Sequence, residues 1–285
     1  MVGRISCLPP FITLLNKPTM AKLTSLLHFK GTLDNLTAYQ MEGVEGTVVR
    51  KRTGPTKEQI QTEARFANIN RINKETAGRS EAAGFWLHTL GVLRPVVDQS
   101  CCGRLNGLLK VVQEGDTVSP WGQRHVPLTA APHLLEGFNL RKVYPLESII
   151  RNPLYGTVNK AALSAEVSVP ALLPGVNFFS PGGGPLYRVV AALGVLPDLY
   201  YGPVGDHYFP PAGFKPVSAQ SALTEWYPVK GGSEATTLSL QLPEGPGIDA
   251  FSLVLTVGVQ WGTIGWGGRT DIAKKVKSAR IERVV

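Results

Sequence analysis

The sequence predicts an α+β chain: an N-terminal β-meander with three helices, followed by an antiparallel β-sandwich, Ig-like or similar. Short runs of alternating apolar and polar residues lie at both ends of the chain. Helical spacing of apolar residues is concentrated in residues 57–113. The 31 glycines and 22 prolines are dispersed and thickest after residue 150, which is typical of many short strands joined by turns.

The chain is expected to contain two folded domains behind an upstream extension. Residues 1–19 include the apolar stretch ISCLPPFITLL after one arginine, but two prolines interrupt it and no small-residue cleavage site follows. We therefore expect Met20 to be the natural start and residues 1–19 to be disordered. Residues 20–126 would form the meander and helical domain, and residues 127–285 the sandwich.

The compartment is predicted from what the sequence lacks. No apolar run approaches the 18 or so residues of a transmembrane helix. Without a convincing signal peptide, the cytoplasm is the expected location, with surface or extracellular placement after non-classical export left open. The three cysteines, Cys7, Cys101 and Cys102, have neither disulfide-framework nor zinc spacing. We expect one of the adjacent pair to be buried and the other to lie near the surface.

The meander is predicted from three strand-like runs in residues 25–30, 36–41 and 47–51. Residues 31–35 and 42–46 supply the turns, since glycine, aspartate and asparagine tolerate left-handed backbone. A sheet this small is marginal alone and must pack on something.

The helices follow a clear start signal. Thr56 is a plausible N-cap and Gln59, three residues later, completes a capping box. Apolar spacing predicts helices over residues 57–74 and 81–92, separated by Gly78 and Ser80. A third helix is predicted from Pro95 to about residue 113. Its two glycines either weaken it or allow another backbone to approach closely.

The β-rich part is predicted from period-two runs separated by turn residues. In residues 250–261 six apolar side chains share one face. A barrel is the alternative way to close the sheets. The loops at 174–185 and 197–216 are long, so they are expected to be functional or disordered. The predicted strands are 134–140, 156–159, 162–169, 186–194, 222–229, 235–242, 250–261 and 276–284.

The stretch of residues 20–52, MAKLTSLLHFKGTLDNLTAYQMEGVEGTVVRKR, resembles the opening of a family of Bacteroidetes proteins that has no established activity. This chain has Asp34-Asn35 where that family usually has Gly-Gly. The resemblance implies a bacterial origin and a start at Met20, but no reaction. The matching pieces are Met20-Ala21-Lys22, Lys30-Gly31-Thr32-Leu33, Leu36-Thr37-Ala38-Tyr39 and Val48-Val49-Arg50.

Catalytic motifs are not evident. The five histidines show no HExxH or paired metal-ligand spacing. Asp206-His207 could form a metal or acid–base pair, although a solvated turn is the favoured interpretation. The glycine-rich residues 180–185 lack the Gly-Lys-Ser/Thr ending of a phosphate loop, and residues 262–268 are interpreted as a hairpin turn. We therefore predict no enzyme activity, no cofactor and no metal site.

Nucleic-acid binding is one functional alternative. The formal net charge is +8, and most of the excess lies in residues 1–126. Against it, Glu58, Glu63 and Glu75 interleave with the cations, which is typical of a solvated helix face. The candidate residues are Arg50, Lys51, Arg52, Arg65, Arg71 and Lys74.

The favoured hypothesis is a structural or interaction protein, a homo-oligomer or filament subunit of a bacterial assembly. Exposed sheet edges can accept strands from neighbours, and loops of sandwiches often carry recognition surfaces. The interaction candidates are Tyr39, Trp86 and Trp121. Glycan or small-ligand binding through the sandwich loops is the third alternative. The cations near the C-terminus are interpreted as protection of an edge strand.

Overall fold

A computed structural model describes residues 20–23, 31–33, 35–41, 44–51, 54–202 and 204–285; the side chains of residues 20–23, 266 and 274–276 are not described. The predicted extension at 1–19, the predicted strand at 25–30 and Arg52 lie outside the described residues. The chain divides into two compact units, which we call unit 1 (Met1–Phe66) and unit 2 (Ala67–Val285).

Unit 1 contains a four-stranded antiparallel sheet in the order β1-β4-β3-β2. The predictions of strands at 36–41 and 47–51 are confirmed. Gly31 and its two successors, predicted as part of a turn, instead form an edge strand that pairs with β3. Leu33 lies opposite Leu36, which leaves two residues for the turn. The strands are β1 (Met20–Leu23), β2 (Gly31–Leu33), β3 (Leu36–Tyr39) and β4 (Thr47–Lys51).

The predicted capping box is confirmed at the start of α1 (Lys57–Thr62). The backbone N–H of Thr56 donates to Gln59 Oε1 at 2.8 Å, and the backbone N–H of Gln59 donates to Thr56 Oγ1 at 3.2 Å. The helix is shorter than predicted because the backbone becomes extended at Glu63. A 3-10 turn at Ala64–Phe66 ends unit 1.

The helices of unit 2 are α2 (Ala67–Thr89), α3 (Cys101–Glu114) and the single turn α4 (Leu146–Ile149). The helix α2 continues through Gly78. The ring of Tyr208 packs against this glycine, and a Cβ at residue 78 would lie 2.6 Å from that ring. Pro95 lies in a 3-10 turn, Gly91–Val96, so α3 begins later than predicted. Among the described residues, no helix is both long enough and apolar enough to cross a membrane.

In the described part of unit 2, ten strands, all paired antiparallel, form the sheets. The central sheet has the order β10-β7-β13-β14, with β11 also on β7; the second sheet is β12-β6-β5, and β8 pairs with β9. They are β5 (Tyr155–Asn159), β6 (Ser164–Val169), β7 (Leu186–Pro197), β8 (Tyr200–Gly202), β9 (His207–Phe209), β10 (Gln220–Leu223), β11 (Tyr227–Pro228), β12 (Thr236–Gln241), β13 (Phe251–Ile264) and β14 (Thr270–Val284).

One predicted strand is wrong. Residues 134–140 fold as the end of a 3-10 turn, Pro132–Leu135, followed by irregular backbone. Gly137 takes a φ of +79°, which favours glycine and interrupts an extended run. An isolated bridge between Asn139 and Arg280, together with backbone hydrogen bonds to Ala279 and Ile281, connects this stretch with β14 without forming a regular strand. Leu135, Phe138 and Leu140 are nevertheless buried, because they cover the helical core.

The central sheet is buried on both faces. Along β7, Val190 and Ala192 pack with α2 and α3 in one core, whereas Val189 and Leu193 pack with β6 and β12 in another. Alternation along a strand sends neighbours to opposite faces, so a nearly continuous apolar strand belongs between two layers. The predicted shared face of residues 250–261 is confirmed, since its apolar residues all belong to the second core.

The chain is thus mixed α+β, and antiparallel sheets dominate it. The predicted domain boundary after Val126 lies within unit 2. The helices assigned by sequence to the N-terminal domain contribute Trp86 and Leu105 to the same core as Val190 and Val254 of the central sheet. Helix and sheet bury each other's apolar faces, and this shared core explains their place in one unit.

Candidate functional site

Charged and polar side chains are buried together where α2, α3 and the loop after α3 meet in unit 2. Glu75 and Arg79 lie one turn apart on α2, on the stripe that continues through Ala82 to Trp86. The stripe faces the core, so both charged groups are buried, with 4% and 8% of their surface exposed. We call the following residues the polar cluster: Glu75, Arg79, Gln113, Asp116, Arg124 and Tyr208.

Glu75 and Arg124 form a bidentate ion pair. Arg124 Nε donates to Glu75 Oε1 at 2.7 Å, and Arg124 NH2 donates to Glu75 Oε2 at 2.8 Å. The backbone N–H of Gly122 donates to the same carboxylate at 2.9 Å. Burial acts to raise the pKa of Glu75, but these hydrogen bonds outweigh it and the pKa is lowered. The carboxylate is therefore ionised and fully engaged at neutral pH.

Arg79 is held by neutral partners. Its NH1 donates to Gln113 Oε1 at 2.5 Å and its NH2 donates to Thr76 Oγ1 at 2.8 Å. Within the described part of the chain, no carboxylate lies within ion-pair distance of this guanidinium. Burial lowers the pKa of Arg79, which is the expected effect of removing a cation from water.

Hydrogen bonds of Gln113 and Tyr208 connect α2, α3, β9 and the loop after α3. Gln113 Nε2 donates to the carbonyl oxygen of Arg124 at 2.9 Å and to the Tyr208 hydroxyl at 3.3 Å. The Tyr208 hydroxyl donates to the same Arg124 carbonyl at 2.9 Å. These bonds fix the Gln113 amide so that its oxygen points at Arg79.

Asp116 is compensated by backbone N–H groups. Its Oδ1 accepts from Val118 at 3.1 Å and Ser119 at 3.0 Å, and its Oδ2 accepts from His125 at 2.8 Å. Burial acts to raise the pKa of Asp116, but the donors outweigh it and lower the pKa to about 2. Asp116 thereby closes the loop that carries Trp121 and Arg124.

A cavity of about 650 Å³, open to solvent, lies over the polar cluster. Its volume falls within the range of ligand pockets in proteins. It is lined by Ile72, Glu75, Arg79, Lys110, Glu114, Asp116, Thr117, Ser119, Trp121 and Arg124.

The described nucleic-acid candidates of unit 1, Arg50, Lys51 and Arg65, are exposed, but Arg50 and Lys51 do not share one surface. Arg50 and Lys51 are consecutive on β4, so their side chains leave opposite faces of the sheet. Arg65 pairs with Glu63 at 2.5 Å and lies 4.7 Å from the ring centroid of Phe66.

The predicted cations of unit 2 also have local partners. Arg71 lies 5.3 Å from the ring centroid of Trp121. Lys74 pairs with Asp206 at 2.9 Å, and Asp206 also accepts from the Tyr201 hydroxyl. These two contacts hold the Asp206 carboxylate beside Lys74 and Tyr201. In the described ranges, no three His, Cys, Asp or Glu side chains lie close enough to hold a metal ion.

The interaction candidates occupy three different environments. Tyr39 is partly buried at the end of β3. Trp86 is fully buried and packs edge-on against Phe138, with 6.1 Å between ring centroids, so its side chain is not available to a partner. Trp121 is 44% exposed at the cavity mouth.

Sequence reasoning missed the polar cluster. The sequence favours a solvated helix face for Glu75, and it places Arg79 among the cations of the same helix. Their positions at 75 and 79 continue the 82 and 86 stripe at spacings of four, three and four. That spacing was the available signal, and it marks charged residues on a core-facing stripe.

Comparison with known proteins adds no relative: no family model matches the chain, and neither a curated protein nor a solved structure matches it.

Proposed function

We propose that the chain is a non-enzymatic interaction protein that self-associates through the sheet of unit 1. The observation that carries this proposal is the exposure of β2. It lies at the edge of the sheet, no described strand pairs with its outer side, and all three of its residues are exposed. An exposed edge strand is a template for pairing with another chain.

The register assigns an apolar face to this sheet. Leu33 lies opposite Leu36, and Ala38 lies opposite Val49, so these four residues share a face. Ala38 and Val49 are buried, whereas Leu33 is 67% and Leu36 is 39% exposed. Among the residues that the structure describes, nothing covers the apolar face at its β2 end, and no strand pairs with the adjoining edge.

The turn determines which backbone groups face outward. The pair Leu33 and Leu36 flanks the two-residue turn, so it is a hydrogen-bonded pair. Pairs alternate along an antiparallel ladder, and the next pair, Thr32 and Thr37, has its hydroxyl oxygens 3.5 Å apart. The N–H and C=O of Thr32 therefore point away from β3, toward any strand added at the edge.

A second copy of the chain is the occupant that we propose. Two β2 strands related by a twofold axis can pair antiparallel and place the exposed Leu33 and Leu36 of both copies together. The same patch serves both partners, so the assembly closes as a dimer. Use of β1 as a second docking edge would instead extend it into a filament.

The test is the molar mass of the full chain by light scattering after size exclusion, across a concentration series. Thr32→Pro removes the outward N–H and Leu33→Lys places a charge on the patch, so each should convert a dimer into a monomer. Val143→Lys is the matched control, because Val143 is 72% exposed in unit 2. A wild-type monomer at every concentration contradicts the proposal, as does a dimer that both variants leave intact.

A second proposal concerns the arrangement of the sheets in unit 2. We propose that the central sheet and the β12-β6-β5 sheet form a β-sandwich, supported by the core between them. The helices cover the outer face of the central sheet. Nucleic-acid binding has less support, because Arg65 and Lys74 pair with nearby acids and Arg71 lies against Trp121.

A further inference from the structure

We propose that the cavity over the polar cluster binds a small organic oxyanion, a carboxylate or a phosphate, on the guanidinium of Arg79. The inference is independent of the self-association of unit 1. It rests on the placement of a buried cation without a direct counter-charge in the wall of an open cavity.

The charges of the cavity wall are compensated unequally. Arg124 is paired with Glu75 by two hydrogen bonds. Lys110 and Glu114 pair with each other, with 3.6 Å between Nζ and Oε1. Asp116 accepts three backbone N–H groups. Of the three cations in the wall, Arg79 is the one that neutral groups alone hold.

The geometry of Arg79 suits an anion. A guanidinium has five N–H donors, and the observed bonds from NH1 and NH2 engage two of them. Gln113 and Thr76 fix the plane of the group, so its ordering is complete before a ligand arrives. A planar, fixed fork matches a carboxylate or phosphate better than an ammonium does.

Burial supplies the driving force. A cation removed from water without a counter-charge is costly, and the lowered pKa of Arg79 has that physical cause. An oxyanion that enters the cavity would offset this cost. Trp121, 44% exposed at the mouth, offers an aromatic surface to the organic part of the ligand.

The test is calorimetric titration of the full chain with sodium phosphate and, separately, with sodium citrate, at neutral pH and constant ionic strength set with sodium chloride. Wild-type protein should bind at least one of them, and the tighter ligand identifies the group. Arg79→Gln should weaken that binding by about ten-fold or more, since it removes a charge-assisted contact. Arg94→Gln, an exposed arginine of unit 2 outside the cavity, should bind like wild type.

Arg79→Lys provides a second variant if Arg79→Gln does not fold. It keeps the charge but loses the planar fork, so binding should be weaker than wild type. Absence of binding heat from wild type with both anions would overturn the proposal. Equal weakening in the Arg79 and Arg94 variants would also overturn it, because that result shows a general charge effect.

Discussion

Asp116 and Arg79 illustrate how single residues solve the problem of charge near a protein interior. Asp116 is stabilised by three backbone N–H donors, a contribution made by the local loop. Arg79 depends on Gln113, which is distant in sequence, as well as on neighbouring Thr76. The first arrangement is complete within a dozen residues, whereas the second exists only when α2 packs against α3.

Asp116→Asn is expected to reduce the free energy of unfolding by about 1–2 kcal/mol at neutral pH. The amide keeps one acceptor oxygen and places an NH₂ group against a backbone donor. Urea unfolding measures the change. Asp249→Asn, an exposed aspartate elsewhere in unit 2, is the control and should be neutral.

The effect of Asp116 should depend on pH with a defined sign. Its folded pKa of about 2 lies below the ordinary value of 3.8, so its carboxylate stabilises the fold above the ordinary pKa. This stabilisation is lost as the pH falls from 3.8 toward 2. The difference between wild type and Asp116→Asn should therefore shrink over that window. A difference that stays constant across it contradicts the assignment.

At the scale of elements, the backbone of α2 approaches that of β7 closely at Gly194. Gly194 has no side chain, and a Cβ there would lie 2.4 Å from the Cα of Thr89 at the end of α2. The backbone of the helix occupies the space, so a side chain cannot be accommodated by a rotamer change. Glycine in this strand therefore sets the distance between helix and sheet.

Gly194→Ala is expected to destabilise unit 2 by about 2–3 kcal/mol, since the helix end must shift. Gly107→Ala makes the same chemical change on α3, where an added Cβ meets nothing within 4 Å. It should stabilise by about 0.5–1 kcal/mol because alanine favours the helix. Chemical denaturation of both variants measures the changes in the free energy of unfolding. Changes of the same sign in the two variants would contradict the proposed role of Gly194.

At the scale of the molecule, β7 and β13 belong to both cores of unit 2. A layer of helices lies on one face of the central sheet and a second sheet lies on the other. Loss of either core exposes the same strands, so we expect the layers of unit 2 to unfold together.

Leu105→Ala in the helical core and Leu193→Ala in the core between the sheets test this coupling. Both side chains are fully buried, so each truncation should cost about 2–5 kcal/mol. Hydrogen exchange read by mass spectrometry should show α3 and β12 losing protection together in both variants. Val118→Ala, at a 94% exposed position, should leave both protected. Loss confined to the mutated layer would show that the cores are independent.

Local signals were sufficient for several elements of this chain. The capping box at Thr56 depends on residues three apart, the strands β3 and β4 follow from residues that favour strands, and β12 follows from period-two alternation. Such patterns report on the nearest neighbours in the chain and on one buried face. The prediction of a strand at residues 134–140 was wrong because apolar residues there cover a core in irregular backbone, which period alone does not distinguish.

The sheet of unit 1 and the polar cluster also differ in how far local sequence predicts them. The small sheet of unit 1 was open to prediction, because its strands and turns follow from local patterns. The polar cluster was not open to prediction from local patterns. Its hydrogen bonds join residues 75, 113, 124 and 208 or their neighbours in space, which are far apart in the sequence. A glutamate or arginine in a helix is usually solvated, and only long-range packing reverses that expectation.

An α+β chain with a strand-rich C-terminal part can be predicted from the residues alone, because backbone preference and hydrophobic period are properties of short segments. Long-range packing places α2 and α3 against the central sheet and buries Arg79 beneath a cavity. The physical reason is that burial depends on which surfaces meet. A stripe of residues on α2 is apolar or charged by sequence, but its exclusion from water depends on α3, the following loop and β9 folding against it.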